Sequence, residues 1–347
     1  MPGSDFDVGT GHTKLVIGAS GFLGSHVVRQ LVERGDRVRV LLRPTSSTRA
    51  IDDLDVERCY GDIFDAAAVR YAMDACDDVY YCVVDTRAWL RDPAELFRTN
   101  VEGLRRVLDI AAEAQLHRFV FTSTIGTIAL SEDGCPVTED KPFNWLDRGG
   151  GYIRSRVEAE TLVLGYVRDR GLPAVAMCVA NTYGPGDWQP TPHGSLVALA
   201  AAGKMPVYVK DMAMEVVGIE DAARALILAA DHGRVGERYI ISERFITARE
   251  LYDTAADAAG ARRPRFGIPL KVMYALGFCG DVAAKVLRRD MLLSTLSVRL
   301  MHIMSPMNHG KAERELCWYP EPVHDAIGKA VDFYRERAAA DGSGTAA

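Results

Sequence analysis

The sequence predicts an α/β fold in which helices cover both faces of a doubly wound parallel sheet, with a smaller C-terminal substrate lobe. Two observations predict it. Short apolar segments rich in β-formers alternate with helical segments over the first half of the chain, and a glycine-rich turn joins the first strand to the first helix. The strand segments are continuous apolar runs, as expected for parallel strands that are buried on both faces.

The elements follow in chain order. Residues 14–17 form the first predicted strand, 18–24 the turn, and 25–34 a helix that ends at Gly35. A long helix ending near Gln115 precedes the fifth strand, and a helix carrying Tyr152 and Arg156 precedes the sixth. The second to sixth predicted strands are RVRVLL, VERCYGD, VYYCVV, RFVFTST and AVAMCVA.

The pattern changes after about Asn181, where NTYGPGDWQPTPHG predicts a long loop. We therefore expect a Rossmann domain over 14–180. A lobe over 181–337 would mainly bind substrate and return some strands and helices to the Rossmann core. Flexible segments are expected at 1–13 and 338–347.

The composition narrows the class of protein. The 347 residues carry a net charge of −6 and no block of Lys or Arg, which argues against nucleic acid as a partner. No run of about 18 apolar residues predicts an integral membrane span. The N-terminus lacks a signal-peptide pattern, and seven scattered cysteines without a CxxC pair are typical of reduced cytosolic thiols. We expect a cytoplasmic protein without a metal site.

The glycine turn predicts nucleotide binding. Gly18, Gly21 and Gly24 follow a strand and open a helix, so the backbone can approach a pyrophosphate that meets the free N–H groups and dipole of the helix. A purely structural tight turn is the alternative. The residues predicted to contact the cofactor here are Gly18, Ser20, Gly21, Phe22, Leu23 and Gly24.

The end of the second strand indicates which nucleotide binds. An acidic residue there favours NAD, and an arginine accommodates the 2′-phosphate of NADP. Leu42 holds that position and Arg43 follows it, so NADP(H) is favoured and NAD(H) remains possible. Alternatively, Arg43 is a solvated surface charge. Asp62 and Ile63, after the third strand, are placed to flank the adenine.

Several motifs together resemble the extended short-chain dehydrogenase/reductase family, within the NAD-dependent epimerase/dehydratase superfamily. They are GASGFLG, GD at Gly61–Asp62, TNVEG with Asn100, FTST and YIRSR. The resemblance runs from about Lys14 to Arg335. The segments VRVLLRPTS, NVEGLRRVL, GKMPVYV and KAERELCWYPEP are most similar to the dihydroflavonol-reductase and 3β-hydroxysteroid-dehydrogenase-like branch.

The resemblance implies a catalytic group. Tyr152 would protonate a carbonyl oxygen, or act as the base in the reverse reaction, and Thr124 would hydrogen-bond the same oxygen. Arg156 stands where the family has a lysine. Residues four apart share a helix face, so Arg156 can lie beside Tyr152 and lower its pKa from about 10. The resemblance further assigns to the cofactor Val83, Asn100, Ser123, Tyr152, Arg156, Val179, Asn181 and Thr182.

Arginine in the lysine position leaves three alternatives. A guanidinium is larger than an ammonium and cannot release its proton, but it can still lower the tyrosine pKa and donate to the ribose. The protein is then either a working enzyme tuned around Arg156, or an NADP(H)-binding regulator with little or no turnover. A shift of the helix that recruits another basic residue is the third alternative, although Arg154 lies on the wrong face.

The predicted substrate is a bulky apolar or aromatic ketone or alcohol, such as a steroid-like or flavonoid-like molecule. The apolar stretch Ile268–Leu293 is either a pocket wall or ordinary lobe core. Trp89, close behind the fourth strand, offers another wall. Tyr183 and His193 are further candidate contacts beside Thr124, although His193 is better explained as a loop residue.

A nucleotide-sugar epimerase or dehydratase with retained NAD is the alternative enzyme. Asn181 before TYGPG favours it, whereas Glu215 stands where a positive charge would bind a diphosphate and opposes it. The resemblance also suggests a homodimer through the helix that carries Tyr152 and the helix that ends near Gln115.

Overall fold

The computed structural model describes residues 13–343. Residues 1–12 and 344–347, which belong to the predicted flexible ends, lie outside the described residues. The strands are β1 (Thr13–Ile17), β2 (Arg37–Leu42), β3 (Glu57–Tyr60), β4 (Asp78–Tyr81), β5 (Arg118–Thr124), β6 (Ala174–Val179), β7 (Asn181–Tyr183), β8 (Val207–Val209), β9 (Ala213–Gly218), β10 (Arg238–Ile241), β11 (Arg244–Thr247) and β12 (Phe266–Ile268).

Twelve α-helices are described within the same range. They are α1 (Phe22–Glu33), α2 (Ala66–Met73), α3 (Ala94–Phe97), α4 (Leu104–Ala111), α5 (Gly150–Arg170), α6 (Pro192–Ala201), α7 (Ile219–His232), α8 (Ala248–Ala258), α9 (Leu270–Leu287), α10 (Thr295–His302), α11 (Gly310–Leu316) and α12 (Val323–Ser343). A π-helical segment, Arg98–Gly103, joins α3 to α4. None of the helices in residues 13–343 is long and apolar enough to cross a membrane.

A seven-stranded parallel sheet forms the centre of the molecule. Its strand order is β10-β6-β5-β4-β1-β2-β3, and every neighbouring pair is parallel. The predicted doubly wound α/β fold is thereby confirmed. The seventh strand, β10, comes from the sequence after residue 181 and extends the six predicted strands at one edge.

Each face of the sheet has its own core because successive strand residues point to opposite faces. On β1, Val16 packs into the core built with α1, α7 and α11. Its neighbours Leu15 and Ile17 pack into the core built with α2, α4 and α5. The predicted helices therefore cover both faces of the sheet.

The C-terminal lobe has a third core. A three-stranded sheet of order β11-β9-β7 and the pair β12-β8 combine with α6, α8 and α12 around it. We propose a domain boundary near residue 180, since β6 ends at Val179 in the central sheet and β7 begins at Asn181 in the lobe sheet. The elements α7 and β10 then return to the central sheet.

The C-terminal helix continues further than the sequence predicted. A flexible tail was expected from Ala338, but α12 includes residues 338–343. Alanine has the highest helix propensity of any residue type. The three alanines from Ala338 to Ala340 therefore favour the extension of α12 by more than a turn.

A buried ion pair ties together the amino ends of β1 and β4. Lys14 Nζ donates to Asp78 Oδ2 at 2.5 Å, and both side chains are almost fully buried. The second carboxylate oxygen of Asp78 contacts His117 Nδ1 at 2.9 Å. Asp78 thereby joins β1, β4 and the residue before β5. The opposite ends of these three strands carry the candidate site described below.

Asp78→Asn should lower the free energy of unfolding by about 3–5 kcal/mol, because it leaves the Lys14 ammonium buried without a counter-charge. Urea-induced unfolding measures this. Asp169→Asn is the matched control, since its pair with Arg168 is exposed and should change stability by less than about 0.5 kcal/mol. Equal effects of the two substitutions would contradict a structural role for the buried pair.

Candidate active site

The predicted site residues converge at the carboxyl edge of the central sheet. The chain winds outward from β1 to β2 and β3, then resumes at β4 and continues through β5 and β6 on the other side. The crevice between β1 and β4 is therefore the point where the winding direction reverses, which is where ligands bind in open α/β sheets. The glycine turn follows β1, Val83 follows β4, and Thr124 ends β5.

The glycine turn requires glycine at two of its three positions. Gly18 has a φ of +92°, and a Cβ there would lie 2.9 Å from the Cys82 carbonyl carbon. At Gly24 a Cβ would lie 2.2 Å from the Gly18 carbonyl oxygen, so the start of α1 packs directly on the turn. Gly21 is the N-cap of α1 and no side chain caps the first N–H groups. They remain available to an anion.

A small cavity adjoins this helix end. Ser20, Gly21 and Phe22 line about 130 Å³ together with residues 186–189 and Thr191 of the loop after β7. The Pro185 carbonyl oxygen in that loop contacts His26 Nε2 of α1 at 2.9 Å. The loop is thus held directly over the glycine turn. The uncapped N-terminus of α1 and the close backbone approach that only glycine permits fit a dinucleotide pyrophosphate.

Asp187 anchors this loop. Its Oδ2 accepts hydrogen bonds from Thr191 N at 2.8 Å and from Tyr334 Oη of α12 at 2.7 Å. Beside it, the Arg49 guanidinium lies 4.0 Å from the centre of the Trp188 ring. Sequence reasoning missed His26, Asp187 and Trp188 as parts of the site, and the run GPGDW in the loop was the available signal.

The predicted adenosine contacts lie after β2 and β3. Arg43 is exposed, and its side chain has no hydrogen bond or ion pair to any described residue. Asp62 Oδ1 accepts from Phe64 N at 3.0 Å, which fixes the turn after β3. Ile63 is largely buried against Gly103, so only a small part of its side chain faces the crevice.

Tyr152 lies in an apolar environment at the start of α5. It packs against a small cluster of buried apolar residues, Leu130, Trp145 and Ile153, and Phe143, Leu300 and Ile303 pack against the same cluster. Burial raises the pKa of Tyr152, while the Arg156 charge and a hydrogen bond with Thr124 act in the opposite direction. The net pKa stays above its ordinary value, so the phenol is neutral at neutral pH.

Arg156 is 1% exposed and only partly satisfied. Its Nη2 donates to the Thr122 carbonyl oxygen at 2.6 Å, and the guanidinium lies 5.2 Å from the centre of the Phe121 ring. Its Nε and Nη1 have no hydrogen-bond partner among the described residues. Buried donors of this kind are costly, so they indicate a site that is completed by a bound group.

Asn100 connects the loop after β4 to α5. Its Oδ1 accepts from Asp85 N at 2.8 Å, and its Nδ2 donates to Asp85 O at 3.0 Å and to Ser155 Oγ at 3.1 Å. Ser155 Oγ in turn donates to the Tyr152 carbonyl oxygen at 2.8 Å. Asn100 thus fixes the position of α5 beside Tyr152.

Behind the site lies a buried polar network that sequence reasoning missed. Glu160 accepts hydrogen bonds from Ser123 Oγ and from Thr127 Oγ1, and it pairs with Arg238 of β10 at 2.9 Å. The Ser123 side chain therefore points into the network, and its backbone is the part left for the crevice. Glu160 follows Arg156 by four residues, so helical spacing was the available signal.

The predicted contacts at the end of β6 and on β7 differ in their exposure. Val179 is nearly buried, and Asn181 Nδ2 donates to the Glu215 carbonyl oxygen at 3.0 Å. Thr182 is half-buried. Tyr183 is only 2% exposed and its hydroxyl contacts Met214 Sδ at 3.6 Å within the lobe core. The structure places the Tyr183 ring in the lobe core, so in this conformation it does not reach the crevice in which a substrate contact was predicted.

Glu215 does not face the crevice as the sequence suggested. Its side chain is 1% exposed, and it accepts hydrogen bonds from Ser242 Oγ and from Met307 N, the latter at 2.6 Å. Burial raises its pKa to about 7. It is an internal strut between β9 and the segment before α11, so the argument that it repels a diphosphate no longer holds.

The remaining substrate candidates are Trp89 and His193. Both side chains are half-buried, Trp89 on the loop after β4 and His193 in the first turn of α6, and burial lowers the pKa of His193. The apolar stretch Ile268–Leu293 is mostly neither pocket wall nor core. On its helix α9 only Gly277 and Ala284 are buried.

Comparison with known proteins extends over both the sheet and the lobe. The profile of the NAD dependent epimerase/dehydratase family matches residues 14–242. Sterol demethylase protein B from Methylococcus capsulatus is 31% identical over 328 residues, with 94% of this chain and 99% of that protein covered. A dihydroflavonol 4-reductase from Zea mays is 28% identical, with 74% and 76% covered. The crystal structure of gox2253 has a TM-score of 0.83 at 30% identity, with 94% and 98% covered.

Arg156→Met should raise the free energy of unfolding of the ligand-free protein by about 1 kcal/mol or more, because it removes two buried donors that lack acceptors. The same variant should lose most of the thermal stabilisation that NADPH confers. Calorimetry with and without NADPH measures both effects.

Arg154→Met is the control, since Arg154 is exposed two residues away on the same helix. It should alter neither quantity. A ligand-free Arg156→Met protein less stable than the wild type would show that the guanidinium is fully accommodated without a bound group.

Proposed function

The chain belongs to the NAD-dependent epimerase/dehydratase family of short-chain dehydrogenase/reductase enzymes, and from this membership we propose that it is an NADP(H)-preferring oxidoreductase. It reduces a ketone, or oxidises the corresponding alcohol, on a bulky apolar substrate. The observation that carries the proposal is the environment of Tyr152: a neutral phenol among aromatic and aliphatic side chains, with Thr124 and the Arg156 charge acting on it.

The cofactor is held by the groups that the protein leaves without partners. The open end of α1 and the glycine turn take the pyrophosphate, and the Nε and Nη1 donors of Arg156 bind the nicotinamide ribose. Asp62 and Ile63 flank the adenine. When bound, the cofactor supplies the hydride that reduces the substrate carbon.

Tyr152 supplies the proton. A phenol whose pKa is raised by burial stays protonated at neutral pH and can donate to a carbonyl oxygen. The tyrosinate left afterwards is stabilised by the Arg156 charge, which lowers the pKa relative to burial alone. In the oxidation direction the same group must first lose its proton, so oxidation is expected to accelerate as the pH rises toward the Tyr152 pKa.

Thr124 holds the same oxygen. Its Oγ1 accepts a hydrogen bond from Gly126 N at 3.1 Å, and the hydroxyl also hydrogen-bonds Tyr152. When a substrate binds, the hydroxyl hydrogen can turn from the phenol to the reacting carbonyl oxygen and orient it toward Tyr152.

The apolar residues around Tyr152 favour a substrate with large hydrophobic groups. Phe143, Leu300 and Ile303 are partly buried in the same apolar cluster as the phenol, and none of them carries a charge. A steroid-like or aromatic ketone gains free energy by burial against such walls, whereas a charged sugar diphosphate does not. The names of the sterol demethylase and dihydroflavonol reductase relatives agree with this class.

A homodimer remains part of the proposal. It rests on the family resemblance and would use α4 and α5, which already contact one another through a hydrogen bond of 2.5 Å from Tyr166 Oη to Asp109 Oδ1.

Wild-type protein should oxidise NADPH in the presence of bulky ketones, and Tyr152→Phe should lower kcat by about 10²–10⁴-fold, because the proton donor is lost. Arg156→Lys should be slower than wild type, since an ammonium cannot fill the position of a buried guanidinium. Steady-state rates over one panel of steroid-like and aromatic ketones measure this. Tyr166→Phe, on the same helix, is the control and should keep wild-type rates.

If the wild type showed no turnover of NADPH and Arg156→Lys were active, the proposal would be overturned and an NADP(H)-binding regulator would be favoured. Tightly bound NAD that copurifies and is reduced and reoxidised within one turnover would favour the epimerase or dehydratase alternative.

Arg43→Ala should lower kcat/KM for NADPH by about 10–100-fold and leave the value for NADH nearly unchanged, because a charge-assisted hydrogen bond to the 2′-phosphate is lost. Cofactor-dependent kinetics measure the ratio. Arg37→Ala, at the other end of the same strand, should leave the ratio at the wild-type value. A similar loss for both cofactors on Arg43→Ala would count against NADP(H) preference.

A further inference from the structure

The segment from Phe266 to Leu292 carries an unusual concentration of exposed apolar side chains. Of the fifteen large hydrophobic residues that are exposed in the described part of the chain, eight lie in this segment. They centre on α9, in which Val286 is 74% exposed and Phe278 63%. Contiguous apolar surface of this kind marks an interaction site rather than scattered surface residues.

The exposed residues of α9 form one continuous stripe. Val272, Leu276, Cys279, Val282 and Val286 follow each other at intervals of three or four residues, so they share one face of the helix. The fold directs this face of α9 toward solvent.

The opposite face of α9 is fixed against the segment that leads into α10. A Cβ at Gly277 would lie 2.9 Å from the Ser294 carbonyl carbon, and one at Gly280 would lie 1.9 Å from the Leu293 carbonyl oxygen. Only glycine permits this close packing, which determines which face of α9 points outward.

The charges around the stripe are mainly basic. Lys271, Lys285, Arg288 and Arg289 are exposed on or directly after α9, and the one exposed acid next to them, Asp290, accepts a hydrogen bond from Arg91 N. The acidic residue of the helix, Asp281, is turned inward, where its Oδ2 accepts from Thr295 Oγ1 at 2.6 Å and from Thr295 N at 3.2 Å. The outward face thus combines aliphatic and aromatic side chains with positive charges at its edges.

We propose that the outer face of α9 docks on the surface of an anionic lipid bilayer, with the helix lying in the interfacial plane. An apolar stripe edged by Lys and Arg matches such a surface, because the stripe enters the acyl boundary while the cations meet lipid phosphates. A second copy of the chain is a poorer match. A two-fold contact through α9 would bring the basic edges of both copies together.

Docking would place the candidate active site next to the bilayer. The α10 side chain Leu300 packs in the same cluster as Tyr152, and α9 lies directly outside α10. An apolar ligand could then pass from lipid to the crevice past a single helical layer. The docking itself does not depend on the reaction that the site performs.

Flotation with vesicles tests the proposal. Wild-type protein should float with vesicles of phosphatidylcholine and phosphatidylglycerol in a 7:3 ratio. Val282→Glu/Val286→Glu should reduce its partition coefficient by about 10-fold or more, because two side chains that would enter the bilayer become charged. Val235→Glu is the matched control, since Val235 is 48% exposed and Val282 47%, and it should bind like wild type.

A charge variant tests the basic edge separately. Lys285→Glu/Arg289→Glu keeps the apolar stripe and should lose about 10-fold or more in binding to the anionic vesicles, while binding to pure phosphatidylcholine stays at the wild-type level. All variants alter exposed side chains, so unchanged melting temperatures verify their folding.

The exposed cysteines report the orientation. An environment-sensitive fluorophore on Cys279, in a Cys135→Ser/Cys317→Ser background, should shift to the blue when vesicles are added. The same fluorophore on Cys135, in a Cys279→Ser/Cys317→Ser background, should not shift.

Three results would overturn the proposal: absence of wild-type flotation, wild-type flotation of Val282→Glu/Val286→Glu, or a fluorophore response at Cys135 equal to that at Cys279. A wild-type dimer that this double variant converts to a monomer, without vesicle binding, would assign the face to a second copy instead. A dimer through α4 and α5 would persist in the variant, so light scattering separates the two cases.

Discussion

The attachment of α5 to the central sheet is the contact on which the candidate site depends. Two buried side chains one helical turn apart make it: Arg156 donates to the backbone of β5, and Glu160 pairs with Arg238 of β10. Because both groups are polar and buried, a sliding or rotation of the helix would break the Arg156 contact with β5 and leave the Glu160 carboxylate without its Arg238 partner. This attachment fixes the position of Tyr152, which lies one helical turn before Arg156.

Sequence patterns predicted the backbone of the site better than its side chains. The glycine turn, the parallel strands and the helix of Tyr152 follow from local periodicity and from steric rules for glycine, which act within a few residues. The direction of Tyr183 and Glu215 depends on how β7 and β9 pair, and a one-residue change of register reverses every side chain. Some strands after residue 181 were expected to return to the central sheet, but the short run RYII of β10 does not itself reveal which sheet it joins.

The stretch around α9 shows a different limit of sequence reasoning. Its apolar content suggested a pocket wall or lobe core, because a segment that is apolar on most sides is usually buried. The structure buries only the small residues Gly277 and Ala284 and directs larger ones outward. Glycines on the inner face and valines on the outer face invert the usual pattern, and only the tertiary contact with the segment before α10 reveals the inversion.

The π-helical segment Arg98–Gly103 sets the rotational phase between two helices. An α-helix advances about 100° per residue, and a π turn accommodates an extra residue. Leu96 before the segment and Leu104 after it are both buried, while Asn100 between them faces Asp85 and Ser155. Deleting one residue here would rotate α3 relative to α4 and remove either an apolar anchor or the amide bridge. The length of this short segment is therefore under stronger constraint than its composition, so homologous proteins of the same architecture should tolerate substitutions in it more readily than single-residue gaps.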